Sequence, residues 1–191
     1  MWFLWIGTFV DEKQMKLAYE LILPSEGLSE NSLSPVIMLH GRMNSKKTWK
    51  KFAPEIAERT KRQVYIYDAR NHGDSSWDDE MDLDILIEDL EEFMNDFDME
   101  QAILIGHSMG GKTALTFALK KPEAVEKLIV EDMDTKDYPE FAKQAHLGKI
   151  NILRESLTAI PANADETTAR KAVLNFLQEK LNRIPDIGRN V

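Results

Sequence analysis

Between residues 35 and 131 the apolar positions follow two rhythms that alternate along the chain. Short unbroken runs, "PVIMLH" (35–40), "QVYIYDA" (63–69), "AILIG" (102–106) and "EKLIVED" (126–132), read as strands covered on both faces. Between them apolar residues recur at helical spacing. Trp49, Phe52 and Ile56 do so, with Pro54 where a first turn tolerates it. Positions 83, 86, 87, 90, 94 and 97 form a longer stripe, whose acidic opposite face reads as solvated surface. "MGGKTALTFALKK" (109–121) is a third helix, stopped before Pro122.

Upstream, "KLAYELI" (16–22) alternates Leu17, Tyr19 and Leu21 on one face, as a half-buried strand does. "LPSEGLSENSLS" (23–34) reads as a loop or weak hairpin. This order predicts an α/β fold: a mostly parallel sheet with helices on both faces and its site along one edge. After Asp134 the pattern changes to two helical stretches, 138–160 and 164–184. Asp165 is placed to cap the second, whose apolar side carries Val173, Phe176, Leu177 and Leu181. The expected division is a core over 16–135 and a helical lid or cap over 136–191. A doubly wound sheet that ends in helices, with no closing strand, reads as truncated before its last strands.

The stretch "AILIGHSMGGKTAL" (102–115) fits two catalytic motifs at once. Gly106 to Gly110 matches G-x-S-x-G, a turn that exposes a serine between strand and helix. Gly106 to Thr113 matches G-x-x-x-x-G-K-T, a loop that wraps nucleotide phosphates, and "LIVED" supplies an acidic strand end for magnesium. The phosphate reading places bulky His107 and Met109 where backbone amides must close on the ligand. The serine reading uses more of the chain. Gly106 and Gly110 are small where the turn is tightest, and Ser108 stands free as a nucleophile. The Met109 amide opens the helix, and the loop after "PVIMLH" offers the Arg42 amide, so two donors face a developing oxyanion. The serine reading is preferred. Lys112 is then structural, and Asp68, Arg70, Asn71 and His72 form a hydrogen-bonded turn.

Three motifs carry a resemblance: "LHG" followed by "NSKKTW", then "YDARNHGDS" (67–75), then "LIGHSMGGKTAL". From about Lys16 to Leu181 the chain resembles an alpha/beta-hydrolase. Within that superfamily it is similar to the alpha/beta hydrolase domain-containing protein 11 group and related bacterial esterases. The resemblance implies a serine hydrolase of the carboxylesterase or acylglycerol lipase type, with a small-molecule ester or lipid as substrate. It also implies a mitochondrial location, cytoplasmic otherwise. Arg42 departs from the group's usual apolar residue. The family orders its triad Ser, acid, His. Asp132, at the end of "EKLIVED", is the acid expected, with Glu131 and Asp134 as weaker candidates. The base is missing: of His40, His72, His107 and His146, only His146 follows Asp132, in the lid with no strand to fix it. A catalytically inactive scaffold that binds a ligand or partner is the alternative, and a nucleotide binder using Lys112 a distant third.

Composition narrows the partners. A net charge of −9 argues against nucleic acid and anionic membrane, which reward basic surface. The absence of cysteine excludes disulfides and thiolate metal sites, and no cofactor or metal is called for. The opening "MWFLWIGTFV" is too short to span a bilayer and carries neither a secretory nor an arginine-rich targeting pattern. No transmembrane segment is expected, and residues 1–15 remain unassigned.

Overall fold

The four apolar runs between residues 35 and 132 become strands, and with one from "KLAYELI" they build a five-stranded sheet. A computed structural model describes residues 15–25, 33–133, 148 and 151–182. The strands are β1 (Tyr19–Ile22), β2 (Val36–Leu39), β3 (Val64–Tyr67), β4 (Ala102–His107) and β5 (Val125–Glu131). The helices are α1 (Ala53–Thr60), α2 (Leu83–Asp96), α3 (Met109–Lys120) and α4 (Glu166–Asn182). The sheet order is β1-β3-β2-β4-β5, with β1 antiparallel to β3 and the other pairs parallel.

Alternation through the sheet divides the core into two layers. Ile37, Leu39, Tyr65, Tyr67 and Leu104 face Leu86, Leu90 and Phe93 of α2 and Phe117 of α3. Val36, Met38, Val64, Ile66 and Ile103 face Trp49 and the Ala53 and Ala57 side of α1. Such continuous burial on both faces is why β2 and β3 show no polar alternation. The chain steps from β2 outward to β3, then returns past β2 to β4. That reversal puts the ends of β2 and β4 side by side, with Leu39 opposite Gly106, at the place where open α/β sheets form their sites.

Several expectations need correction. β5 is not covered on both faces: it pairs only with β4 among the described residues, and its burial alternates, leaving Ile129 exposed. Trp49 does not belong to α1, which begins at Ala53 with Pro54 in its first turn. Trp49 closes a preceding 3-10 turn and is buried, whereas Phe52 is exposed. The acidic side of α2 is not wholly solvated. Asp89 is 4% exposed and holds Arg70 in a two-pronged bond, 2.6 Å in each arm. Arg70 lies on the loop after β3, so this pair ties that loop to α2.

The chain divides into two units, Met1–Thr135 and Lys136–Val191. In the second, Asp165 caps α4 by accepting the Thr168 amide at 2.8 Å. Val173, Phe176 and Leu177 are half-buried there, and Lys180 reaches Glu155 at 2.9 Å. Among the described residues no helix is long and apolar enough to cross a membrane. Asp134, His146 and the opening "MWFLWIGTFV" lie outside the described residues.

Removing Asp89 strands a nearly buried guanidinium. Asp89→Ala is expected to cost about 3–5 kcal/mol in urea unfolding, as for breaking a buried ion pair. The exposed neighbour change Glu88→Ala is expected to stay within about 0.5 kcal/mol.

Candidate active site

Ser108 connects β4 directly to α3 with φ 50° and ψ −112°, a left-handed conformation rare for a residue with a side chain. Such strain costs on the order of 1–3 kcal/mol and needs surroundings that enforce it. The Ser108 amide donates to the Glu131 carbonyl at 3.0 Å, and the Ser108 carbonyl accepts from the Lys112 amide at 2.9 Å. The turn is closed by backbone contact. A Cβ on Gly106 would lie 2.4 Å from the Gly110 oxygen, and one on Gly110 would lie 2.4 Å from the Leu39 oxygen. Both glycines are therefore required, and α3 sits directly on the ends of β2 and β4.

The same closure removes the phosphate-loop reading. Only Ser108 separates β4 from α3, so no loop is left to wrap a phosphate, Lys112 is exposed, and the Thr113 hydroxyl donates to the Met109 carbonyl at 3.0 Å. A helix's first amide has no carbonyl one turn back to bond, which is the position of Met109. The next amide, of Gly110, donates to the His40 carbonyl at 3.2 Å.

Gly41 brings the loop after β2 against Ser108. A Cβ there would lie 3.3 Å from the Ser108 Cβ and 2.7 Å from His107 Nδ1. His40 fixes the next peptide. Its Nε2 accepts the Ala69 amide at 3.0 Å, so Nδ1 carries the proton and donates to the Gly41 carbonyl at 2.8 Å. The Asn44 amide donates to the same oxygen at 3.2 Å. Because a trans peptide points its N–H opposite its C=O, the Arg42 amide faces away from both donors. Burial pushes the His40 pKa down, keeping the ring in this neutral form. The Arg42 side chain is exposed.

Asp68 anchors the far end of this loop from the end of β3. Fully buried, it accepts the Lys46 amide and ammonium, each at 2.6 Å, and the Asp74 amide at 2.9 Å. Burial alone would raise its pKa, but these bonds hold the carboxyl below its ordinary value. His72 adds a further tie, its Nε2 accepting the Met43 amide at 3.2 Å. The hydrogen-bonded turn expected for Asp68, Arg70, Asn71 and His72 is present. Its partners Lys46 and Asp89 were not visible in the sequence, since nothing local links charges 22 and 19 residues apart.

Asp132 directly follows β5 with φ 46°, and its carboxylate is 89% exposed and 3.8 Å from His107 Nε2. His107 Nδ1 is buried without a hydrogen-bond partner. Glu131 stands opposite His107 in the β4–β5 register and is exposed. Among the described residues there is no cluster of ligating side chains suited to a metal ion. A cavity of about 660 Å³ opens elsewhere, between the lead-in to β1 and α2, walled by Lys16, Tyr19, Phe93 and Phe97 among others.

A sheet reversal with a strained serine on one strand end and a glycine loop from the neighbouring strand against it defines an alpha/beta-hydrolase. Residues 34–181 match the alpha/beta hydrolase fold family, and the chain belongs to it. It is 32% identical over 161 residues to the sn-1-specific diacylglycerol lipase ABHD11 of Mus musculus, covering 84% of this chain and 50% of that protein. It is 34% identical over 131 residues to ethanol acetyltransferase 1 of Cyberlindnera fabianii, covering 66% of this chain and 39% of that one. Among solved structures, a marine microorganism esterase superposes with a TM-score of 0.71 at 33% identity, covering 87% of this chain and 59% of the esterase. The chain thus spans about half the length of these relatives.

Gly110→Ala and Gly106→Ala each drive a methyl group into backbone that cannot move aside. Overpacking of a core typically costs about 1–3 kcal/mol, and these contacts are with carbonyls rather than side chains. Each variant is expected to lose at least about 2 kcal/mol in chemical denaturation or to fail to accumulate as folded protein.

Proposed function

We propose that this protein is a serine hydrolase of carboxylic esters, with Ser108 as nucleophile on a nucleophile elbow. The observation that carries the reading is the enforced left-handed Ser108 between β4 and α3, with the Gly41 backbone packed against it. The Ser108 oxygen attacks the ester carbonyl, and the resulting oxyanion is met by the Met109 and Arg42 amides. The alcohol leaves with the serine's proton, an acyl-enzyme remains, and water releases the acid and restores Ser108. That proton transfer needs a histidine oriented by Asp132 as its carrier. His40 and His72 are unsuited to that task, because their acceptor nitrogens already hold the Ala69 and Met43 amides. His146 is the sequence's one histidine after Asp132.

The likeness to a diacylglycerol lipase and an esterase supports an ester or acylglycerol substrate. The likeness to an ethanol acetyltransferase favours a second outcome for the same acyl-enzyme: transfer to an alcohol in place of water.

Hydrolysis of short p-nitrophenyl esters tests the first reading and ethyl ester formation in added ethanol the second. Where turnover shows that a base is in place, Ser108→Ala is expected to lower either rate by on the order of 10⁶, as loss of a triad serine does. His146→Ala, assayed alongside, shows whether the base is that residue. Turnover that survives Ser108→Ala contradicts the proposal, and a folded protein with no turnover and no labelling by a fluorophosphonate supports the inactive scaffold.

A further inference from the structure

Lys46 takes no part in the chemistry above, yet it is 5% exposed, beyond what a lysine accepts without a partner. Its backbone amide and its ammonium both bind the Asp68 carboxylate, so the side chain curls back beneath its own backbone. The ammonium also reaches Asp74 at 2.7 Å. Gly73 lies so close that a Cβ there would fall 2.2 Å from Asp68 Oδ2, which shows how tightly the β3 loop is drawn around this pair. Burial works against the Lys46 charge, but the two carboxylates outweigh it and hold its pKa above the ordinary lysine value.

Lys46 is also the first residue of the 3-10 turn (Lys46–Thr48) into which the loop that begins at Gly41 runs. One end of that loop is set by His40 and Ser108, and its middle by His72. The other end passes into the 3-10 turn, where the Thr48 and Trp49 amides donate to the Ser45 and Lys46 carbonyls, and its one tie to the β3 loop is Lys46 on Asp68 and Asp74. We propose that Lys46 is a positioning residue for the ester reaction: clamped at both ends on Asp68, it holds loop 41–46 and so the direction of the Arg42 amide. This rests on the roles given above to Ser108 and Arg42. An oxyanion donor acts only if it is in place when charge develops, and displacements near 1 Å cost about 10²-fold in rate.

Lys46→Met in the purified protein tests this, with Lys46→Arg and the double change Lys46→Met/Asp68→Asn beside it. The double variant leaves no bare carboxylate in the interior, so it keeps the test usable where the single variant fails to fold. Folded Lys46→Met, or the double variant, is expected to lose at least about tenfold in kcat on a short ester with KM within about threefold, the pattern of a transition-state contact. Lys46→Arg is expected to recover most of kcat. Hydrogen exchange is expected to quicken at the amides of residues 42–46. A folded variant with kcat within about twofold of the parent overturns the proposal, even if it melts earlier, because that is a merely structural role. If the parent itself shows no Ser108-dependent turnover, the functional reading fails separately. Exchange at 42–46 still reports on the clamp in that case, and unchanged exchange overturns it.

Discussion

The close approach of backbone to backbone around Ser108 is the constraint on which the rest of the site depends. With hydrogen atoms in place of side chains at Gly106 and Gly110, the helix that follows Ser108 can rest on the carbonyls that end β2. That seating forces Ser108 into its left-handed conformation and fixes the start of α3 beside the neighbouring strand. Gly41 extends the logic to the loop after β2, whose backbone can then lie against the serine. The strand order supplies the location. Because the chain reverses direction between β3 and β4, the two strand ends that must cooperate are adjacent.

Around this backbone nucleus, polar side chains do the work that regular structure cannot do for loops. His40, Asp68 and Lys46 are buried, and each has partners for its hydrogen-bonding atoms in neighbouring loops. Burying a charge is costly unless it is paired, so these groups tolerate only the arrangement in which their partners are present. The Arg70–Asp89 pair does the same between the β3 loop and α2. The loops at this edge are therefore specified by electrostatics, whereas the strands beneath them are specified by apolar packing.

That division explains what could be read from the chain. β2, β3 and β4 were legible because unbroken apolar runs need burial on two faces, and α3 because it follows the Ser108 turn and stops before Pro122. The turn at Ser108 was legible because small residues two positions either side have a steric reason. β5 misled because an apolar run does not reveal how many neighbours its strand has, and among the described residues β5 pairs only with β4. Asp89 misled because its helix face looks solvated until Arg70 arrives from another loop. Lys46 gave no local signal at all. Asp132 was found at a strand end, but its side chain is exposed, and its role stays with the functional proposal.

The most direct measurement is a crystal structure of the protein after reaction with a phosphonate ester, whose tetrahedral phosphorus mimics the attacked carbonyl. The account expects phosphorus bonded to Ser108 Oγ and its free oxygen within about 2.7–3.1 Å of the Met109 and Arg42 amides, the reach of an oxyanion donor. An adduct on another residue, or a phosphonyl oxygen turned away from both amides, would contradict it.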